Sequence, residues 1–564
     1  MFRILLALWT VLAGCERSGG ARGGAAGPLL VDATSSLGLE AAPQAWPDGR
    51  YRLPELSAGG VALFDFDGDG DIDIFQACAP PPDRPDTPAP DRLFRQEPNG
   101  SFQEVPGAAG LADPGYGNGV ALGDIDGDGD KDVFIANLGR DSLYENRGGG
   151  SFAEISGAAG ILDDGWSTSA AFLDFDRDGD LDLFVARYLI DDPSIECRTS
   201  RSAPRDYCGP SRYRGVRDLL FRNRGDGTFE EVGLEAGIRE ERPGFGAVCL
   251  DFTGDGWVDI FVANDMQPNQ LWVNQRNGTF IDRALELGCA VCGAGKPQAG
   301  MGVAAGDVDG DGRIDLLVTN LADQSNTLYA ATGAPDGGFA DRSASSGIGA
   351  PSLPYTSWGC AWLDLDIDGD LDLAVANGRI ARGPLRAGAA LSPFWNPYAE
   401  PNQLLLNRND GKFLDAARAG GDFTTRPEAT RALAAADIDR DGRPDIATAA
   451  IGNRLRVYLS RGPTSGRHWV ALRAQSRSPR GAWTDALGAV VSLESGGRRQ
   501  VRPILSTSSF QSATEPMAHF GLGEAGRIDR VEVAWPDGTR ESFTPPAADR
   551  TAVVRKGEGS AAGR

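Results

Sequence analysis

Seven nonapeptides of the form Asp-x-(Asp/Thr)-x-Asp-Gly-x-x-Asp punctuate the chain, at residues 65–73, 124–132, 174–182, 251–259, 307–315, 364–372 and 437–445. Oxygens at alternate positions converge on one point when a glycine at the sixth position lets the backbone turn sharply. A hard cation such as Ca2+ takes roughly six to eight oxygen ligands in such a flexible shell. The ligand positions are Asp65, Asp67, Asp69 and Asp73; Asp124, Asp126, Asp128 and Asp132; Asp174, Asp176, Asp178 and Asp182; Asp251, Thr253, Asp255 and Asp259; Asp307, Asp309, Asp311 and Asp315; Asp364, Asp366, Asp368 and Asp372; and Asp437, Asp439, Asp441 and Asp445. One loop alone reads as a solvated turn, because Asp and Gly are common turn residues. Seven in register, each behind an apolar strand, read as about seven Ca2+ sites of mainly structural role. Thr253 replaces a carboxylate, so the fourth site is expected to be weak or empty.

The loops recur every 50 to 77 residues, a repeat length that fits a propeller or a solenoid. Around each lie two apolar strands. A third begins Leu-aromatic (Leu93-Phe94, Leu143-Tyr144, Leu271-Trp272) and a fourth follows a tight turn (Phe102, Phe152, Phe280). Four strands repeated seven times predict an all-β fold, a seven-bladed β-propeller over 29–462. The seventh unit lacks a fourth strand. Leu30-Val-Asp-Ala resembles a displaced one, so an N-terminal strand is expected to close the ring and hide two sheet edges. Alternating polarity and turn signals predict a small β-sandwich over 463–556, with Trp535 packed inward, then a disordered tail over 557–564.

The net charge is −24, from 79 acidic and 55 basic residues. Seven divalent ions would offset about 14 of those charges. The acidic balance excludes nucleic acid, whose recognition needs basic stripes. A basic start and an apolar run end in Leu12-Ala-Gly-Cys15, which resembles the lipobox of bacterial lipoproteins. That resemblance implies a signal peptide over 1–15, lipidation of Cys15, a flexible tether over 16–28, and export to the outer membrane, on its periplasmic or outer side. A plain signal peptide cleaved nearby is the alternative. An exported chain can carry disulfides. Cys197 and Cys208 share one loop and are expected to pair. Cys289 and Cys292 form a C-x-x-C read as a local disulfide. Cys249 and Cys360 read as buried thiols, and Cys78 is unassigned.

Tyr207-Cys-Gly-Pro210, Asn264-Asp-Met266 with Pro268-Asn269, Ala299-Gly-Met-Gly302, Pro401-Asn-Gln-Leu404, His519-Phe-Gly-Leu-Gly523 and Trp535-Pro-Asp-Gly538 extend the pattern beyond the loops. With the repeats they resemble the cartilage-acidic-protein-like family of FG-GAP/VCBS repeats with a C-terminal ASPIC/UnbV domain. The resemblance implies an exported, calcium-binding propeller with no established catalytic residues.

In an up-and-down blade the aspartate loops share one face. The long insertions 79–91, 187–217 and 377–401 share the other. Binding residues concentrate on such loops. The second face is expected to hold a ligand through Trp166, Arg198, Arg201, Arg205, Tyr207, Arg212, Tyr213, Arg214, Trp358, Trp395 and Tyr398. Arginine chelates carboxylates and rings stack on sugars, so the expected partner is an anionic glycan or an acidic protein surface. Pairing of these arginines with neighbouring acidic loops is the alternative. Arg224-Gly-Asp226 reads as turn chemistry. No catalytic constellation stands out, and both histidines, His468 and His519, lie in the tail domain. The leading expectation is a non-enzymatic binding, adhesion or interaction module of the cell envelope, anchored to the membrane by lipid only. The alternative is a calcium-dependent lyase or hydrolase acting on an anionic glycan.

Overall fold

The computed structural model describes residues 27–39 and 47–562, apart from 58, 82, 85, 199–203, 335–336 and 463–464. The expected leader with Cys15, most of the tether, and Arg201 lie outside the described residues.

The fold is all-β and propeller-like, with successive units of four antiparallel strands. In the second unit, Tyr116–Gly123, Asp132–Arg140, Ser142–Asn146 and Phe152–Glu154 pair in chain order through Val120↔Ile135, Val133↔Tyr144 and Tyr144↔Glu154. The first strand of each unit packs against the first strand of the next, and Thr430–Ala436 of the last packs against Val61–Phe64 of the first. Small residues permit that approach. A Cβ at Gly119 would stand 2.4 Å from Thr168 O, and one at Gly302 would stand 2.3 Å from Trp358 O. The apolar faces between units form layered cores, such as Val61, Ile74, Phe94, Ala434 and Val457. Leu30–Asp32 lies antiparallel on Arg454–Ser460, with Leu30↔Ser460 and Asp32↔Tyr458, and supplies the fourth strand of the last unit.

The tail carries two sheets. One holds Trp483–Asp485, His468–Arg477, Ala518–Gly523 and Arg550–Arg555. The other holds Arg498–Pro503, Val490–Ser495, Arg530–Ala534, Arg540–Phe543 and Ser560–Ala561. Val470, Leu472, Leu493, Phe520, Val531 and Trp535 fill the core between them. The expectation of a disordered segment from 557 is corrected over its described part. Gly557 N donates to the Glu541 carboxylate at 3.0 Å, turning the chain so that Ala561 pairs with Glu541 as an edge strand.

Between its sheets the tail sends residues 505–516 into the middle of the ring. Ser512–Thr514 runs parallel to Val61–Phe64. Ser506 Oγ donates to Leu122 O and Thr514 Oγ1 to Ala435 O, both at 2.8 Å. Cys360 N and Leu433 N donate to Ser509 Oγ and Ser512 Oγ at 2.9 and 3.1 Å. Backbone groups on inner strand edges must find partners, and this segment supplies them. Phe510, fully buried, caps the segment against Phe245 and Trp358.

Candidate functional site

All seven loops share one hydrogen-bond scheme. The first aspartate accepts the N–H of the sixth-position glycine, from Gly70 N to Asp65 Oδ2 at 2.9 Å through Gly442 N to Asp437 Oδ2 at 2.9 Å. The ninth accepts at least two backbone N–H groups. One comes from the second loop position (Ile125 N to Asp132 Oδ2, 2.7 Å) and one from the third strand (Asn146 N to Asp132 Oδ1, 2.8 Å). The ninth aspartate therefore organises the unit, and in the first three loops it also stands in a cluster that could hold an ion. Position four also demands a left-handed backbone, which sequence reading overlooked. Gly68 and Gly127 adopt it freely, but Arg177, Ile367 and Arg440 hold φ of 64°, 58° and 58°.

These clusters could hold a metal ion. Carboxylate oxygens of Asp65, Asp67 and Asp73 lie within 4.8 Å of one another, as do those of Asp124, Asp126 and Asp132, of Asp174, Asp176 and Asp182, of Asp307, Asp309 and Asp311, and of Asp364, Asp366 and Asp368. Oδ1 of Asp174, Asp176, Asp307 and Asp437 is buried with no hydrogen-bond partner among the described residues, an unmet acceptor of the kind a cation satisfies. Burial pushes the Asp73, Asp259 and Asp315 carboxyls up to about 8, and those of Asp174, Asp364 and Asp437 up to about 7, with like-charged neighbours in the loop adding to the shift. A divalent cation bound there would supply the missing counter-charge. In the fourth loop Thr253 Oγ1 leans on Asp251 Oδ1 at 3.4 Å, while Gly256 N still donates to Asp251 Oδ2 at 2.7 Å.

A second set of residues escaped the sequence reading. The amides of Asn146, Asn223, Asn274 and Asn407 donate to Phe66 O, Ile125 O, Phe175 O and Val308 O at 2.8–3.1 Å, and Gln96 Nε2 donates to Ile438 O at 2.9 Å. Each bond ties the third strand of one unit to the aspartate loop of the preceding one. The signal was present as the Asn three residues after Leu143, Leu220, Leu271 and Leu404.

The tail domain covers this loop face. Arg498 Nη1 donates to Asp368 O at 2.8 Å, Gly521 N to Asp364 Oδ2 at 3.0 Å, and Ser478 Oγ to Gly127 O at 2.8 Å. His519 Nε2 meets Gly442 O at 2.9 Å, and burial holds its imidazole down at about 4. Arg480 and Arg467 pair with Asp126 and Asp366 at 3.3 and 3.0 Å. The sixth-position glycine thus has a second use: a Cβ at Gly442 would strike Trp469, and one at Gly369 would meet Gln500 at 2.9 Å.

The opposite face departs from expectation. The insertions do gather there, but Trp166, Tyr207, Trp358, Trp395 and Tyr398 are buried in one apolar cluster with Tyr188, Phe245 and Phe510. Their rings pack on one another, as Tyr207 does on Tyr398 at 5.6 Å, and do not form an exposed stacking platform. The insertions fold inward because the mouth of the ring offers apolar surface to cover. Tyr213 is half-buried. Arg205 and Arg214 pair with Glu196 and Glu241 at 3.1 and 2.6 Å, which realises the alternative of local pairing. Arg198 and Arg212 are exposed. Cys197 and Cys208 form a disulfide. Cys289 and Cys292 do not, which corrects the C-x-x-C expectation: the Cys289 thiol is drawn into the core, donating to Ala284 O at 3.7 Å. Cys78, Cys249 and Cys360 are buried free thiols. In Arg224-Gly-Asp226, Asp226 Oδ1 accepts Thr228 N at 3.0 Å, as a turn requires.

The FG-GAP-like repeat family matches residues 65–135, 124–185, 251–318, 307–375 and 394–448, and the ASPIC and UnbV family matches 479–561. Cartilage acidic protein 1 of Mus musculus is 27% identical over 336 residues, covering 59% of this chain and 48% of its own. That of Homo sapiens is 26% identical over 336 residues, covering 59% and 47%. The chain thus spans about half the length of the curated relatives it matches. Among solved structures, the BP39L lectin from Burkholderia pseudomallei superposes with a TM-score of 0.42 at 14% identity, over 72% of this chain and 98% of that one. BBS1N in complex with ARL6DN superposes at 0.40 and 11%, over 77% and 98%.

Proposed function

From a chain that belongs to the FG-GAP-like repeat family and ends in an ASPIC and UnbV domain, we propose a calcium-stabilised, non-enzymatic interaction module of the cell envelope. In this reading the repeats form a seven-bladed propeller over 29–462, closed by the N-terminal strand, and residues 463–556 form a β-sandwich extended by the Ser560–Ala561 edge. Ca2+ is the ion of choice for the loops, because they offer only hard oxygens in a flexible shell. The observation that carries the reading is the repeated loop scheme with its buried, unpartnered aspartate oxygens. The ions hold loops that would otherwise repel themselves apart, and the tail domain is seated on those loops. Cys15 would be the lipid anchor to the outer membrane, on the strength of the Leu-Ala-Gly-Cys pattern.

The face carrying the insertions is the binding face, with an anionic glycan or acidic protein surface as partner. Exposed Arg198 and Arg212 on the 187–217 insertion support that choice. The experiment incubates the chain with acidic polysaccharides in calcium and scores retention and chain length together. Retention without shortening is expected. Shortened chains would make the protein an enzyme and overturn the reading.

A further inference from the structure

Three sequence stretches outside the aspartate loops come together at one place. Cys208 and Pro210 from the 187–217 insertion, Asp265 and Met266 from the fourth unit, and Ala299 and Met301 before the fifth all line a cavity of about 170 Å3 at the mouth of the ring. Its walls are aromatic. Trp166 stands edge-on to Tyr188 at 4.9 Å and 89°, Tyr188 stacks on Phe245 at 4.1 Å, and Phe245 meets Trp358 at 6.0 Å and 65°. A cavity of roughly 150 Å3 already takes a molecule the size of benzene. Exposed Gly209, Ser211 and Met266 stand at its rim.

One charged side chain lines it. Asp265 is 7% exposed, and among the described residues its one side-chain hydrogen bond comes from Tyr188 Oη, at 2.7 Å. Among the described residues no Arg or Lys pairs with it, and burial pushes its carboxyl up to about 7. An isolated buried carboxylate is costly, and a cation is its natural complement. Met266, beside it, is held at φ 58° where the strand bulges between Asp265↔Ala299 and Gln267↔Gln298. Backbone strain of this kind collects where a side chain must be aimed. Trp166 Nε1 is buried with no acceptor among the described residues, so the cavity also has an unmet donor. The neighbouring Arg431 guanidinium lies over Trp358 at 4.2 Å, with its donors given to Leu56 O, Gly378 O, Thr430 O and Arg379 O. A cation therefore already rests on this aromatic wall without reaching Asp265.

We propose that this cavity is a binding site for an alkylammonium group, held by the Trp166, Tyr188 and Phe245 rings and neutralised by Asp265. Rings set around a small space with a carboxylate at one wall bind such cations through their π faces, while an uncharged group of the same shape gains only burial. Trp166 Nε1 gives preference to ligands with an oxygen acceptor near the cation. The proposal rests on the reading of this face as the binding face, and it names a chemistry distinct from that of the arginine rim.

The test follows tryptophan emission and binding heat of the full chain, in calcium and at constant ionic strength, as choline is added. It is repeated with 3,3-dimethylbutan-1-ol, the uncharged carbon isostere, and with butylammonium. Saturable choline binding at least about tenfold tighter than the alcohol is the expected result. A preference for butylammonium over choline would also support the site and assign it to a lysine-like amine instead of a quaternary head group. No saturable response to either cation, or equal affinity for the alcohol, overturns the proposal. Asp265→Asn is expected to abolish the preference for cation over alcohol while alcohol binding persists; an unchanged preference overturns the role of Asp265. The wild-type comparison decides the matter even if that variant fails to fold. Polysaccharide retention is scored on the same preparation, so a chain that retains glycan and ignores choline rejects the cavity alone, and the reverse rejects the rim alone.

Discussion

On the face of the aspartate loops, carboxylates crowd together until their own burial and repulsion work against ionisation, and the tail domain is laid over them. On the opposite face the insertions carry the arginines, yet rings line the mouth of the ring and two of the four described arginines of the expected set, Arg205 and Arg214, pair with nearby glutamates. The first face therefore leaves buried acceptors that a cation would satisfy, and the second covers most of its apolar surface with the chain's own insertions. The contrast teaches how one ring serves two ends: the carboxylate-rich side seats the tail domain, and in the proposed reading the insertion side meets the partner.

The largest expected effect breaks the first face. Chelation with EDTA at pH 8 should lower the melting temperature by at least about 10 °C, because several sites lose a ligand that binds only the folded form; an unchanged transition would sink the structural role of the ions. The sign of the pH response should then invert. In the stripped protein, loop carboxyls such as Asp73 and Asp315, raised by burial to about 8, bind protons more tightly folded than unfolded. Stability should fall as pH rises from about 4 to about 8, so lowering the pH from 8 to 6 in chelator should recover part of the loss. With calcium present the same change should cost stability, since protons compete with the ion. Scanning calorimetry at both pH values separates the two cases.

The next effect joins the faces. Phe510 belongs to the tail domain but is buried at the far mouth. Phe510→Ala should cost about 3–5 kcal/mol in urea unfolding; a cost under about 1 kcal/mol would mean that the segment is not a fixed part of the core. Within one loop, Asp132→Asn should cost about 2–3 kcal/mol more than Asp128→Asn in chelator, because only the ninth position gathers buried backbone N–H groups from both the loop and the third strand. Equal losses would reduce both to metal ligands. The smallest effect sharpens the second face: Arg214→Ala, which removes an exposed pair with Glu241, should leave the melting temperature unchanged, as exposed ion pairs contribute little.

What was legible in the sequence was local. Alternate oxygens around Gly70, the Leu-aromatic strand starts and the unpaired third strand Arg454–Ser460 each act within a few residues, so loops, strand order and the closing strand follow from residue order alone. What was not legible depends on contacts hundreds of residues apart. Nothing in Ser506, Ser509 and Ser512 announces that their hydroxyls serve inner strands of different units, because serine runs read equally well as loops. Trp395 and Tyr398 looked like a ligand surface since their insertion carries them outward in sequence, and only the packing of three insertions together buries them. The inter-unit amides of Asn146 and Asn223 lay in plain view as a periodic residue, but a single Asn before a turn is ordinary turn chemistry.

The segment at 505–516 also sets an order of events. A chain emerges from its N-terminus at roughly 5–20 residues per second, so the ring-forming strands exist several seconds before the stretch that fills their centre. During that interval the first strands face an empty axis, with the backbone groups of Leu122, Val303 and Ala435 still open to water or to another chain. A truncation before Leu505 would freeze the molecule in that early condition, as a hollow wheel without its axle, prone to capturing a strand from a neighbour.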